Sequence, residues 1–156
     1  MKKLLLVLSA LMLTSVVFAQ TVSSPVDKLG IQMKGAIKTG DDVDITIMLT
    51  NNTQKDATIN LVGGQYQTGM SGSIAYDNEG NIYELGDVLV SVGRKALTEQ
   101  YCGVSVPSGV SVKCHVRIRN FAADAKELTK VKVCLLCPEL EINNTGVCFE
   151  LNNVKL

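Results

Sequence analysis

From Tyr101 to Arg119 the chain reads YCGVSVPSGVSVKCHVRIR, two runs of alternating residues on either side of Pro107-Ser108-Gly109. This stretch limits the fold more than any other, because a period of two places successive side chains on opposite faces of a strand. Proline presets φ and glycine supplies the positive φ that tight turns need, so the two runs read as a β-hairpin. With those three residues as the loop, Val106 faces Val110, Val104 faces Val112, and Cys102 falls opposite Cys114. Directly opposed residues have Cβ atoms about 4.5–5.5 Å apart, and a non-hydrogen-bonded pair closes to disulfide distance. A four-residue loop shifts the register and separates the two cysteines. One face of the hairpin is valine, cysteine and isoleucine, and the other carries Ser105, Lys113, His115, Arg117 and Arg119. That is the pattern of a half-buried antiparallel sheet.

The rest of the chain repeats this theme. Leu29, Ile31 and Met33, followed by Ala36 and Ile37, read as a first strand with an irregularity at Gly35. After a turn at Thr39–Asp42, Val43, Ile45, Ile47 and Leu49 alternate with Asp44, Thr46 and Met48. Ala57–Val62 is a short strand, and Gln65–Gly72 reads as loop. The runs Ile74–Tyr76 and Ile82–Leu85 flank a compact turn, Asp77-Asn78-Glu79-Gly80-Asn81. Further strands fall at Val88–Val92, at Lys130–Leu136 up to the interruption at Pro138, and from Val147 toward Leu156. Only Asn120–Leu128 favours helix, and it is too short for more than a crossing turn. Seven to nine short strands with turn signals between them predict an all-β, antiparallel immunoglobulin-like sandwich, with a small β-barrel as the alternative.

The N-terminus carries a different message. Lys2 and Lys3 precede an apolar run from Leu4 to Leu13, and Val17-Phe18-Ala19 precedes Gln20. A charged start, a short apolar stretch and a small residue at the cut form a secretory signal peptide over residues 1–19, cleaved after Ala19. The run falls short of the roughly 20 apolar residues that span a bilayer, and no membrane span is expected after cleavage. Residues 20–28 read as a flexible lead-in and 29–156 as the domain. A secreted or periplasmic location follows. Loss of the signal turns 15 basic against 15 acidic residues into 13 against 15. So neutral a chain lacks the basic field that nonspecific nucleic-acid binding requires. Aromatic residues make up 4% of the chain and tryptophan is absent, so the core must be aliphatic.

The run AYDNEGNIYEL, then VPSGVSVKCHVRIRNF with a short crossing segment, and the closing FELNNVKL resemble the immunoglobulin-like sandwich domains of small exported bacterial proteins. The resemblance covers Leu29–Leu156 and implies a fold and an export route. It carries no functional residues.

Five cysteines lie in the last third of the chain. Export favours pairing, and the odd number leaves one thiol over in a monomer. Besides the pair Cys102 and Cys114, two of Cys134, Cys137 and Cys148 are expected to join the last two strands. Cys137 with Cys148 are nearest across the turn, although strand alternation sets them on different faces unless Pro138 marks a bulge. Cys134-Leu135-Leu136-Cys137 also has the CxxC spacing of thiol–disulfide redox motifs. Such pairs sit at a helix N-terminus, where free N–H groups lower a thiol pKa, and here the flanking residues are those of a strand. A zinc site would have to draw on Cys148 and the single histidine, His115, and no metal or other cofactor is expected.

The stripe Lys113, His115, Arg117 and Arg119 is a candidate anion-binding face, against the plainer reading of a solvated strand side. Asp77, Glu79 and Asn81 superficially match a calcium loop, but the spacing departs from the EF-hand and Gly86 stands where its bidentate glutamate belongs. Asn51-Asn52-Thr53 and Asn143-Asn144-Thr145 match glycosylation acceptors. No set of acid, base and nucleophile emerges. The sequence points to an exported, non-catalytic protein that binds an envelope protein or glycan or builds the envelope, with a redox role for Cys134 and Cys137 as the alternative.

Overall fold

The computed structural model describes residues 22, 24–65, 72–140 and 146–156. The expected export signal over 1–19, most of the loop after Gln65 and the acceptor at Asn143 lie outside those residues. Among the described residues ten strands follow in order: β1 (Leu29–Thr39), β2 (Asp42–Asn51), β3 (Ala57–Val62), β4 (Ile74–Asp77), β5 (Ile82–Tyr83), β6 (Val88–Val92), β7 (Tyr101–Val106), β8 (Ser111–Ile118), β9 (Glu127–Leu136) and β10 (Val147–Lys155). The one helical element among the described residues is a single 3-10 turn, Pro138–Leu140.

These strands make two antiparallel sheets. One has four strands in the order β1-β2-β8-β6; the other runs β5-β4-β9-β3-β7, with β10 added to β9. The chain is therefore an all-β immunoglobulin-like sandwich. Its interior is filled by the inward members of each alternation: Val43, Ile45, Ile47 and Leu49 from β2, Val116 and Ile118 from β8, and Val131, Val133 and Leu135 from β9, all fully buried. Each such aliphatic side chain contributes about 1.5–3 kcal/mol by leaving water. Val22, in the stretch read as a lead-in, is also buried in this core.

The expected hairpin at Pro107 is not one. β7 pairs with β3 in the six-stranded sheet, whereas β8 pairs with β2 and β6 in the four-stranded sheet. The turn at 107–110 is an arch that carries the chain from one sheet to the other. Alternation alone does not separate the two forms, since an arch and a hairpin both turn Cys102, Val106, Cys114 and Val116 inward. Asn51, the last residue of β2, decides between them. Its backbone accepts from Gly109 N at 2.7 Å and donates to Val110 O at 3.1 Å. Its side-chain amide donates to Val106 O and to Lys55 O, each at 2.8 Å. The turn is thus held against the end of β2. The same bonds bury Asn51 to 1% exposure, which removes it as a glycosylation acceptor in the folded protein.

The sheets are also tied at Gly63–Gln65. Gly63 N and Gln65 N donate to Gln100 O and Glu99 O on the approach to β7, while Gly64 N between them donates to Val88 O of β6. A Cβ on Gly63 would overlap the Glu99 carbonyl, and one on Gly64 the Leu85 carbonyl. Glycine is required here because three backbones approach too closely for any side chain.

Candidate functional site

The irregularity expected in the first strand shapes the outer surface of the four-stranded sheet. Met33 pairs with Ile47 and Gly35 with Thr46, so Lys34 is an extra residue, bulged out of the ladder. Leu29, Ile31 and Met33 face the core before the bulge; after it Ala36 pairs with the inward Ile45, and Ile37 turns outward, 68% exposed. Gly35 takes a φ of 155°, a conformation that L side chains rarely adopt.

Beyond the bulge, two rows of residues cross the outer face in register. Gly35, Thr46, His115 and Ser91 form one, and Ile37, Asp44, Arg117 and Leu89 the next. With no side chain at Gly35 and little bulk at Thr46 and Ser91, the first row is a trough. It opens as a groove of about 760 Å³, flanked along one side by Ile37, Asp44 and Arg117 of the second row and lined also by Lys34 and Leu97. That volume lies within the range of small-molecule sites, roughly 300–1,000 Å³.

The electrostatics of the groove differ from a simple cationic stripe. Arg117 Nε donates to Asp44 Oδ1 at 2.7 Å and its terminal nitrogen to Asp44 Oδ2 at 2.8 Å, a bidentate pair, with Asp42 at 3.9 Å. The hydrogen bond to Asp44 raises the guanidinium pKa further, and the charge is already matched. Of the four stripe residues, His115 and Arg117 line the groove. Lys113 stands opposite Met48, outside the lining, and Arg119 lies past the end of β8. Thr46, Ser91, Lys34 and Leu97 also line the groove; Thr46 and Ser91 carry no sequence signal beyond being polar residues at outward positions of apolar strands, and Leu97, between β6 and β7, carries none.

Of the cysteines, Cys134 and Cys148 stand directly opposite each other on β9 and β10 and form the disulfide, with a Cα–Cα distance of 4.0 Å. Pairing of Cys148 with Cys137 does not occur because β9 continues unbroken to Leu136, and Pro138 opens a 3-10 turn after the strand instead of a bulge within it. Within the CxxC spacing, the sulfur of Cys134 is bonded to Cys148 and not to Cys137, and Cys134 lies in a strand. Cys102 and Cys114, on β7 and β8, are not bonded in this structure, and both are buried in the core between the sheets.

The Asp77 turn is a polar lock. Asp77 Oδ1 accepts from Glu79 N and Asn81 N at 2.9 Å, and Oδ2 from Asn81 Nδ2 at 2.8 Å and Tyr83 Oη at 2.7 Å. Burial pushes the Asp77 carboxyl up, but the bonds from Asn81, Tyr83 and Glu79 outweigh it and hold the pKa below its ordinary value. Tyr83 Oη in turn accepts from Ala122 N at 3.0 Å, its ring stacks on Phe121 at 5.5 Å, and Lys38 Nζ lies 4.8 Å over the Phe121 ring. All of Asp77's carboxylate oxygens are thereby engaged by protein donors, which is the work of a turn and not of a cation loop.

Fold and groove together define an antiparallel sandwich with a shaped outer face. No protein-family model and no curated protein matches the chain. Among solved structures it is similar to a family 123 glycoside hydrolase from Clostridium perfringens, at 12% identity and a TM-score of 0.48 over 81% of this chain and 28% of that one. It is similar also to the PapD-like domain 7 of human CEP192, at 12% identity and 0.44 over 93% and 96% of the two chains. The GAE domain of GGA2p from Saccharomyces cerevisiae gives 14% and 0.37 over 88% and 97%. The chain spans little more than a quarter of the hydrolase. These are likenesses of strand arrangement, and no residue or activity passes from them to this protein.

Proposed function

We propose that this protein is an exported, non-catalytic component of the bacterial cell envelope that binds an envelope glycan or protein segment in the groove across β1, β2, β8 and β6. The observation that carries the reading is the bulge at Lys34–Gly35. It spends the regularity of an edge strand on a trough floored by Thr46, His115 and Ser91, with an apolar wall at Ile37 and Leu97. Small polar side chains on a rigid sheet, beside an exposed aliphatic residue and a fixed ion pair, suit a ligand with both hydroxyl and apolar faces. The disulfide between β9 and β10 supports export, because such bonds persist in oxidising compartments.

The test is titration of the isotopically labelled protein with envelope glycan fragments and extended peptides, read by backbone amide shifts. Shifts are expected at Gly35, Thr46, Ser91 and His115. Thr46→Arg, which fills the trough from a surface position, should weaken binding at least tenfold and leave the melting temperature unchanged. Turnover of a substrate that His115→Ala abolishes would overturn the non-catalytic reading, and shifts confined to the six-stranded sheet would overturn the groove.

A further inference from the structure

Two thiols sit in the middle of the sandwich, and the arch sets them at the same level. From Val106, the last residue of β7, the chain runs back four positions to Cys102. From Val110, past the arch, it runs forward four positions to Cys114. Cys102 pairs with the inward Leu61 and Cys114 with the inward Ile47, so both sulfurs point into the space between the sheets. We propose that Cys102 and Cys114 are an inter-sheet disulfide site, oxidised while the chain folds.

Packed sheets stand about 10 Å apart, and a disulfide draws Cα atoms to about 4.4–6.8 Å. The bond therefore needs the sheets pinched at this level. The sheets are joined on either side of this level, by the arch, which crosses between them within residues 107–110, and by the Gly63–Gln65 tie, which hydrogen bonds to Val88 of one sheet and to the approach to β7 of the other. Electrostatics agree with proximity: burial first, and then the charge of Cys102, push the Cys114 thiol up to about 12. Burial fixes the order of events, since Cys114 is fully buried and Cys102 nearly so. Exchange is carried by the thiolate, and a fully buried Cys114 offers almost none. Oxidation has to precede closure of the core.

The step balances as ordinary exchange. One cysteine thiolate attacks the disulfide of an oxidant such as glutathione disulfide, giving a mixed disulfide and a released thiolate. The second cysteine then displaces the remaining glutathione thiolate. The protein loses two protons and two electrons, and the oxidant becomes two thiols.

The experiment refolds the denatured, reduced protein in a glutathione redox buffer, quenches with an alkylating reagent under denaturing conditions, and maps the peptides by mass spectrometry. A Cys102–Cys114 linked peptide is expected alongside Cys134–Cys148. Protein folded fully reduced and oxidised afterwards should yield that link at least tenfold more slowly. Alkylated Cys102 and Cys114 in the refolded protein, or a link from either to another cysteine, would overturn the proposal. A second reading uses the Cys134→Ser/Cys148→Ser variant, where reductant should lower the melting temperature by about 10 °C if the inter-sheet bond is present. No change there would count equally against it. Neither arm depends on export or on the groove.

Discussion

Asn51 shows how far one polar side chain directs this chain. It makes two amide bonds to carbonyls, and its Oδ1 accepts from Thr53 N at 3.0 Å and Thr53 Oγ1 at 2.7 Å. Asn51→Ala leaves these groups unmatched at a buried site and should cost about 2 kcal/mol in urea unfolding. Tyr83→Phe should cost about 1–2 kcal/mol by stripping one bond from Asp77 and one from Ala122 N. The pair also sets opposite ends of the pH profile. Burial pushes Tyr83 from 10.0 to about 12, so the folded state holds that proton more tightly than the unfolded chain. The stability it gives is complete below pH 10 and fades as pH rises toward 12, and Tyr83→Phe should flatten that alkaline limb. Asp77 lies below its ordinary 3.8, so its contribution is present above pH 3.8 and fades as pH falls further. Asp77→Asn should remove this acid limb, as thermal melts across pH would show. The sequence singled out the Asp77 turn, but nothing in a string of turn residues told that Tyr83 would reach back to close it. Asn51 stood out only for a local reason, as part of a glycosylation acceptor, and acts through a residue 55 positions away.

At the scale of strands, alternation identified nearly every inward residue, because facing the core is a local property of a period-two run. Which sheet a strand joins is not local. That is why β7 and β8 looked like a hairpin, and why their cysteines looked like cross-strand neighbours. The bulge at Gly35 was legible because it breaks the period itself. Likewise Cys148 had two candidate partners, Cys134 and Cys137, and only the register of β10 on β9, from Val147↔Leu135 to Lys155↔Glu127, selects Cys134. That bond closes a sequence separation of 14 residues, for which loop-closure entropy predicts about 3 kcal/mol. Cys134→Ser with Cys148→Ser should lower urea stability by about that amount. Gly64→Ala meets the Leu85 backbone with no room to yield, and should cost more than 3 kcal/mol or prevent folding, as circular dichroism and expression yield would report.

For the whole molecule, partners distant in sequence dominate: β2 with β8, β3 with β7 and β4 with β9 all join across dozens of residues. Such topologies fold in milliseconds to seconds, and stopped-flow refolding is expected to fall there and not in microseconds. The groove was only half legible for the same reason. His115 and Arg117 were visible as one strand's outward face, whereas Gly35, Thr46 and Ser91 come from three other strands that the sheet sets beside them. The register of β10 on β9 has a mechanical side as well. A tension applied at Leu156 would peel β10 from β9 one bond at a time, from Lys155 upward, and then stop at Cys148, where a covalent bond replaces the zipper. Under load the protein should yield a short, fixed length of slack and then hold, and reducing agent alone should lengthen that slack.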